Sequence, residues 1–547
     1  MAIDPFRSTP ANVRARWGAL PIALLLLAGC SSAASEDSAS ADVPGPMSSG
    51  GGTSANTGAG VPAVGSGGGS TLPPEKELDQ TFRAPVATGS VLWSANPESG
   101  RVALIDAQTL QVRMSNAGFG PTYLAAVPSA PGTDSAIVLN VGSHDASWLQ
   151  ATADQINVTT IATHTGANAW SISDDGQFAI AWTDVTQVAG VPDPTDGFSE
   201  LTVIDLSATP PVSTRMSVGF RPSQVVFDAQ KLHAFAVVDE GISVLDLSGS
   251  PFVSALISLT SPGTAARDVN ISPDGSFAVV RVDGSADIQI LDLTSTASAP
   301  KIVSLESDAT DLDLSADGKT ATAVLGNETP PKVVSFAVPD PSGDPANFGH
   351  AVIPGELVRS VTLAPDNQVA LLYANAVPSD DLTLLDTAPH ADLAFRSVDL
   401  HGAVQKVYVS PDSQTAIAFQ LPPLGSMKKG LFSIVPTEVV RSPMLVPTDA
   451  VPQDIAFSNP AVGKALVTVH DTTSTVYGVY VIGLANLEQN FVTLASEPLP
   501  GATGIVPDVH VGFVAQQHPE GRITFINLDS GVTQTLTGFE IAASVVQ

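Results

Sequence analysis

Reactive groups are sparse in this 547-residue chain. It has one cysteine, Cys30, and nine histidines scattered from His144 to His518. A single thiol excludes an internal disulfide and a multi-thiolate zinc site. No two histidines stand at metal-ligand spacing. The chain has no Gly-x-Ser-x-Gly elbow, no His-Glu-x-x-His and no glycine-rich phosphate loop. Gly318-Lys319-Thr320 ends like such a loop but lacks its upstream glycine. Three carboxylates gather in Asp193-Pro-Thr-Asp196-Gly-Phe-Ser-Glu200. Carboxylate oxygens suit a hard cation, so Asp193, Asp196 and Glu200 are candidate calcium ligands. They lack the Asp-x-Asp-x-Asp-Gly spacing of a calcium loop, and a solvated loop is the plainer expectation. Trp148, Trp170 and Trp182 are candidate stacking surfaces for a sugar or a peptide. For Trp170 and Trp182, strand spacing with Ile172, Phe178 and Ile180 favours core packing instead. Lys428-Lys429 is the one basic doublet, in a loop over 421–430, and a candidate contact for an anionic partner. No catalytic group, cofactor or metal is expected from these residues.

Composition narrows the classes further. There are 54 Asp+Glu against 23 Lys+Arg, a net charge of -31. This acidity argues against a broad nucleic-acid footprint, which needs a basic face. The length exceeds the roughly 250–300 residues at which one core stops growing, so several domains or a repeat architecture are expected.

The first 29 residues read as an address. Arg7, Arg14 and Arg16 precede an apolar stretch from Trp17 to Ala28. That stretch is shorter than the roughly 20 residues of a membrane-spanning helix and fits an export signal. It ends Leu27-Ala28-Gly29-Cys30, which resembles a bacterial lipobox. The resemblance implies cleavage before Cys30, diacylation of its thiol and a lipid anchor on a membrane. Ser31 rather than Asp follows the cysteine, so the same resemblance implies the outer membrane of the cell envelope rather than the inner. Residues 30–80 read as a disordered tether. Between 31 and 75, Ser, Gly and Ala make up 27 of 45 positions, with no aromatic and no Lys or Arg. Such a segment cannot bury enough apolar surface to offset its ordering entropy. As a flexible coil it would span roughly 35–40 Å.

From 81 to 547 the chain repeats. Ile271-Ser-Pro-Asp-Gly-Ser-Phe-Ala-Val-Val280 recurs as Ile172-Ser-Asp-Asp-Gly-Gln-Phe-Ala-Ile-Ala181, Leu314-Ser-Ala-Asp-Gly-Lys-Thr-Ala-Thr-Ala323 and Val409-Ser-Pro-Asp-Ser-Gln-Thr-Ala-Ile-Ala418. The Ser-Pro-Asp-Gly core is a type I turn, with φ pre-set by proline and positive φ taken by glycine. The strand after it is apolar on both faces, alanine on one and larger on the other. A second strand type ends in Asp or Asn, as in Ile242-Ser-Val-Leu-Asp246, Ile288-Gln-Ile-Leu-Asp292 and Ile523-Thr-Phe-Ile-Asn527. Those acids read as turn caps. A period near 45 residues with strand-turn-strand content marks propeller blades. These hairpins and strands resemble the YVTN- and TolB-type β-propellers, including lactonase-like and quinoprotein-like groups. No Trp-Asp dipeptide is present, unlike the WD40 pattern.

The expected fold is therefore all-β, a propeller of four-stranded antiparallel blades. About ten units are counted, one large ring being preferred over two smaller ones. The first unit is expected to lack its innermost strand, with residues 539–546 supplying it and closing the ring. The expected function is that of a binding or scaffold module for a protein or glycan, presented through loops at 184–200, 338–355 and 420–430. The family resemblance also leaves open a lactonase-like hydrolase or a quinoprotein-type oxidoreductase. A purely structural envelope protein is the third alternative.

Overall fold

The structure is a computed structural model that describes residues 85–128, 133–185, 188, 198–230, 232–260, 267–387, 392–438, 441–494, 498–518 and 520–539. Cys30, the tether, Asp193 and Asp196 lie outside the described residues.

Each repeat folds into one four-stranded antiparallel sheet, its strands in sequence order from the channel outward. Ten such blades, at 86–116, 121–162, 169–217, 224–258, 267–304, 311–352, 360–399, 403–448, 452–493 and 500–537, form a single ring. The described residues are almost without helix, the 3₁₀ turn Pro345–Asn347 being one exception. The fold is a ten-bladed β-propeller.

The repeated hairpin sits between the first and second strands of its blade. In blade 5, Ser272 Oγ donates to Asp274 at 2.7 Å and accepts from the Phe277 N–H at 3.0 Å. Ser173 and Ser315 do the same with Asp175 and Asp317, so one side-chain pair closes the turn each time. Asp317 illustrates the electrostatics. Partial burial works against its charge, yet bonds from Ser315 and Lys319 hold its carboxyl below the ordinary range. The strand-ending acids are caps as well. Asp106 accepts from the Gln108 and Thr109 N–H groups, and Asp246 from that of Ser248.

The core is distributed between blades, because each sheet is apolar on both faces. One apolar cluster joins blades 2 and 3 through Ile137, Trp170 and Ile204, and another joins blades 3 and 4 through Ile180, Leu201 and Leu245. Alanines recur on the second strands, among them Ala179, Ala181, Ala234, Ala236, Ala321, Ala323, Ala416 and Ala418, all fully buried. Their small size lets neighbouring sheets approach while the larger residues fill the widening outer part of each wedge.

Ring closure departs from the sequence expectation. Blade 1 has its own innermost strand, Val86–Thr88, paired to Val91–Asn96 in the register Val86↔Trp93 and Thr88↔Val91. The place proposed for residues 539–546 is therefore occupied, and residues 540–547 lie outside the described residues. Closure is by packing instead. Leu92, Ala103 and Ile105 of blade 1 interlock with Val506, Phe513, Ile523 and Phe525 of blade 10, with Phe539 buried in the same cluster. The Asp508 N–H donates to Gly89 O at 3.1 Å across this seam. Val86–Thr88 escaped notice because it is only three residues long, too short for an alternation to register.

Candidate interaction face

The strand order assigns every connection to one of two faces. First and third strands end on the same side, so the Ser-Asp hairpins and the Asp-capped turns share a turn face. Connections from second to third strands, and from one blade to the next, form the opposite loop face. Of the three expected contact loops, 184–200 and 420–430 fall on the loop face. The segment 338–348 joins the third and fourth strands of blade 6 and falls on the turn face. In the ten-membered ring, blades 3 and 8 stand opposite each other.

Among the described residues, the blade 8 loop carries the two most exposed large hydrophobic side chains. Thr415–Leu421 and Gly430–Pro436 anchor its two ends as paired strands. Its tip carries Leu424 at 106% and Met427 at 99% exposure, with Leu421 and the neighbouring Val476 also exposed. Lys428 and Lys429 stand beside the tip but are engaged. Lys428 Nζ reaches Asp449 at 2.6 Å, and Lys429 Nζ reaches Thr473 Oγ1 at 3.0 Å and Asp471 at 3.7 Å. Burial works against the charge on Asp471, but bonds from Thr473 and the nearby Lys429 hold its carboxyl below the ordinary range. The lysines thus fasten the base of the loop to blades 8 and 9, and the surface on offer is the apolar tip.

The channel wall beside this loop carries residues that sequence reasoning missed. β-Bulges interrupt the innermost strands of blades 8, 9 and 10, at Val404–Lys406, Pro452–Asp454 and Pro500–Thr503. Asp454 Oδ2 accepts the Thr503 N–H of the next blade at 2.8 Å. Burial pushes its carboxyl up, and Tyr408, buried near that charge, is pushed up as well. Asp311 and Asp313 of blade 6 take the Val361 and Leu363 N–H groups of blade 7, both at 2.8 Å. Asn270 of blade 5 donates to Leu312 O of blade 6 at 3.2 Å. An innermost strand has an unpaired inner edge, and these side chains satisfy part of its neighbour's backbone. The sequence marks the position of such acids but not their partners: Asp268, Asp311 and Asp454 each stand four residues before a Ser that opens a hairpin.

The remaining candidates separate. Trp170 and Trp182 are 3% and 5% exposed, inside the seams of blade 3, and Trp148 is half-buried with its Nε1 donating to Ser135 Oγ at 2.7 Å. Glu200 begins the third strand of blade 3, paired with Ser217. Among the described residues no group of three or more His, Cys, Asp or Glu is placed to hold a metal ion.

His164, in the connection from blade 2 to blade 3, is buried between two hydroxyls. Its Nδ1 lies 2.9 Å from Thr202 Oγ1 and its Nε2 lies 3.3 Å from Thr183 Oγ1. Burial pushes its pKa below the ordinary value, Glu200 opposing and Arg215 adding to the shift. The group binds its proton more weakly folded than unfolded, so its contribution to stability is present above the unfolded pKa near 6.5 and is lost as pH falls. Between pH 7.5 and 5, thermal unfolding is expected to drop more steeply for the wild type than for His164→Gln. Parallel curves for the two proteins would show that His164 does not titrate on unfolding.

Neither a protein-family model nor a curated protein sequence matches the chain. Solved structures do. A eukaryotic initiation factor is 12% identical over 76% of this chain and 96% of its own, with a TM-score of 0.48. Dihydro-heme d1 dehydrogenase NirN in complex with DHE is 11% identical over 85% and 77%, with a TM-score of 0.43. Apo AztD from Citrobacter koseri is 13% identical over 67% and 93%, with a TM-score of 0.37. At these identities the likeness concerns the propeller fold alone.

Proposed function

We propose that this protein is a lipid-anchored component of a bacterial cell envelope, held by Cys30 on the outer membrane, whose propeller is a docking scaffold. Partners are of the protein or glycan class, and the loop face receives a protein. The observation that carries this reading is the blade 8 tip. Two large apolar side chains stand fully in water on a loop that salt bridges and strand pairing hold in place. Burying each in a partner is worth roughly 1.5–3 kcal/mol. Loops on a rigid scaffold are where recognition concentrates. The anchoring half rests on the Leu27-Ala28-Gly29-Cys30 resemblance and on the Ser/Gly/Ala segment that follows it.

The two halves are tested separately in the producing cell. A photo-crosslinking residue at Leu424 is expected to trap one discrete adduct, lost when Met427→Asp is added. A diffuse smear or no adduct would remove the docking role. Metabolic labelling with a radioactive fatty acid is expected to mark the wild type and not Cys30→Ala, which should leave the membrane fraction. Unlabelled wild type would remove the anchor.

A further inference from the structure

A cavity of about 410 Å³ opens on the turn face where blade 10 meets blade 1. This volume falls within the ~300–1,000 Å³ usual for small-molecule sites. It lies between turns of blades 1 and 10, those at Ala107–Gln108, Val509 and Ser530–Val532, beside the apolar cluster that closes the ring.

The chemistry of the lining is selective. The floor is apolar, with Val511 and Phe525 at its base and Val532 at the rim. The polar rim is made of the side-chain amides of Gln108, Gln534 and Asn527 and the hydroxyl of Ser530, which donates to Asn527 Oδ1 at 2.8 Å. Asn527 spends its oxygen on the Ser530 turn, at 2.8 Å from the Ser530 N–H, and its Nδ2 has no partner among the described residues. The amides of Gln108 and Gln534 likewise make no hydrogen bond among the described residues. No ionisable side chain lines the cavity, in a protein with a net charge of -31. Asp106, Asp508, His510 and Asp529 are sequence neighbours of lining residues, and His510 Nδ1 faces Asp529 Oδ2 at 3.4 Å.

We propose that this cavity binds a neutral pyranose, free or as one unit of a glycan. A hydroxyl is at once donor and acceptor, and a primary amide meets both roles. The C–H face of a pyranose covers the valine and phenylalanine floor. An anionic ligand would be desolvated with no counter-charge in the lining. A cationic one would meet no carboxylate in the lining. An acyl chain would leave the amides unpaired, which is costly when they are covered. The site lies on the face opposite the blade 8 loop and stands whether or not that loop docks a protein.

The test is saturation-transfer NMR on the full chain, with maltose, cellobiose, lactose and N,N′-diacetylchitobiose as probes and cellobiouronic acid as the charged counterpart. At least one neutral disaccharide is expected to receive saturation. Val532→Trp, which fills the cavity from an exposed position, is expected to abolish the transfer. Gln108→Ala with Gln534→Ala is expected to weaken binding about tenfold or more, as loss of two hydrogen bonds implies. Both glutamines are exposed, so this second variant reports on binding even if the first fails to fold. No transfer from any neutral sugar, transfer unchanged in the glutamine variant, or stronger binding of the uronic acid would overturn the proposal.

Discussion

Replacing Arg281 with Met is expected to destabilise the ring by about 3–5 kcal/mol, the cost of breaking a buried ion pair from one side. Arg281 stands in the seam between blades 5 and 6 with its side chain 1% exposed. Its Nε donates to Asp268 Oδ2 at 2.6 Å, and its Nη1 reaches Ala309 O at 2.7 Å and Asp283 Oδ1 at 2.5 Å. Burial works against the guanidinium charge, but Asp268, Asp283 and Asp311 more than offset it and raise its pKa above the ordinary value. Without the arginine, the buried Asp268 carboxylate loses the guanidinium that bonds its Oδ2. Removing both charges relieves that penalty, so adding Asp268→Asn to Arg281→Met should recover much of the loss. Arg281→Lys should not, because one ammonium cannot reproduce the two-directional fork toward Asp268 and Ala309. Urea unfolding followed by tryptophan fluorescence reads all three. A loss below about 1 kcal/mol in Arg281→Met, or a wild-type midpoint in Arg281→Lys, would show that the network does not hold this seam.

Trp93→Ala is the second large effect, also about 3–5 kcal/mol, from lost transfer free energy plus the cavity left behind. Trp93 is fully buried between blades 1 and 2, among Leu104, Leu124, Val138 and Leu149. Its Nε1 donates to Thr88 Oγ1 at 2.9 Å, tying the short innermost strand to the rest of blade 1. That strand has only three residues and borders the closure seam, where Thr88 also bonds Asp134 of blade 2. Trp93→Phe keeps most of the volume and loses the bond to Thr88, and should cost distinctly less. Equal losses in the two variants would mean that the hydrogen bond rather than packing dominates. If Trp93→Ala behaves like the wild type, blade 1 is not fastened through this residue.

Sequence and structure agree where the physics is local. The Ser-Pro-Asp-Gly hairpin closes through contacts within five residues, as at Ser272, Asp274 and Phe277, so its recurrence announced each blade. The strand-ending acids act over two or three residues, and they proved to be turn caps at Asp106, Asp205 and Asp246. The two-faced apolar pattern announced sheets buried on both sides. Other features depend on residues some 50 positions apart. Asp311 and Asp313 bond to Val361 and Leu363, and Asp454 to Thr503, and no local periodicity shows that an acid on an inner strand will meet the next blade's backbone. Lys428 and Lys429 read as a free basic doublet until blade 9 and Asp449 were placed beside them.

The sequence by itself determined the repeat, the four-stranded blade, its turn chemistry and the near count of ten, because these follow from hydrogen bonds and alternation within a few residues. Only the tertiary structure decided that there is one ring, that blade 1 supplies its own innermost strand, and that blades 1 and 10 close by packing side chains. It also decided which loops share a face and where an uncharged cavity opens. Those outcomes depend on how ten wedges sum around a circle, a sum over contacts distant in the chain that no single repeat contains.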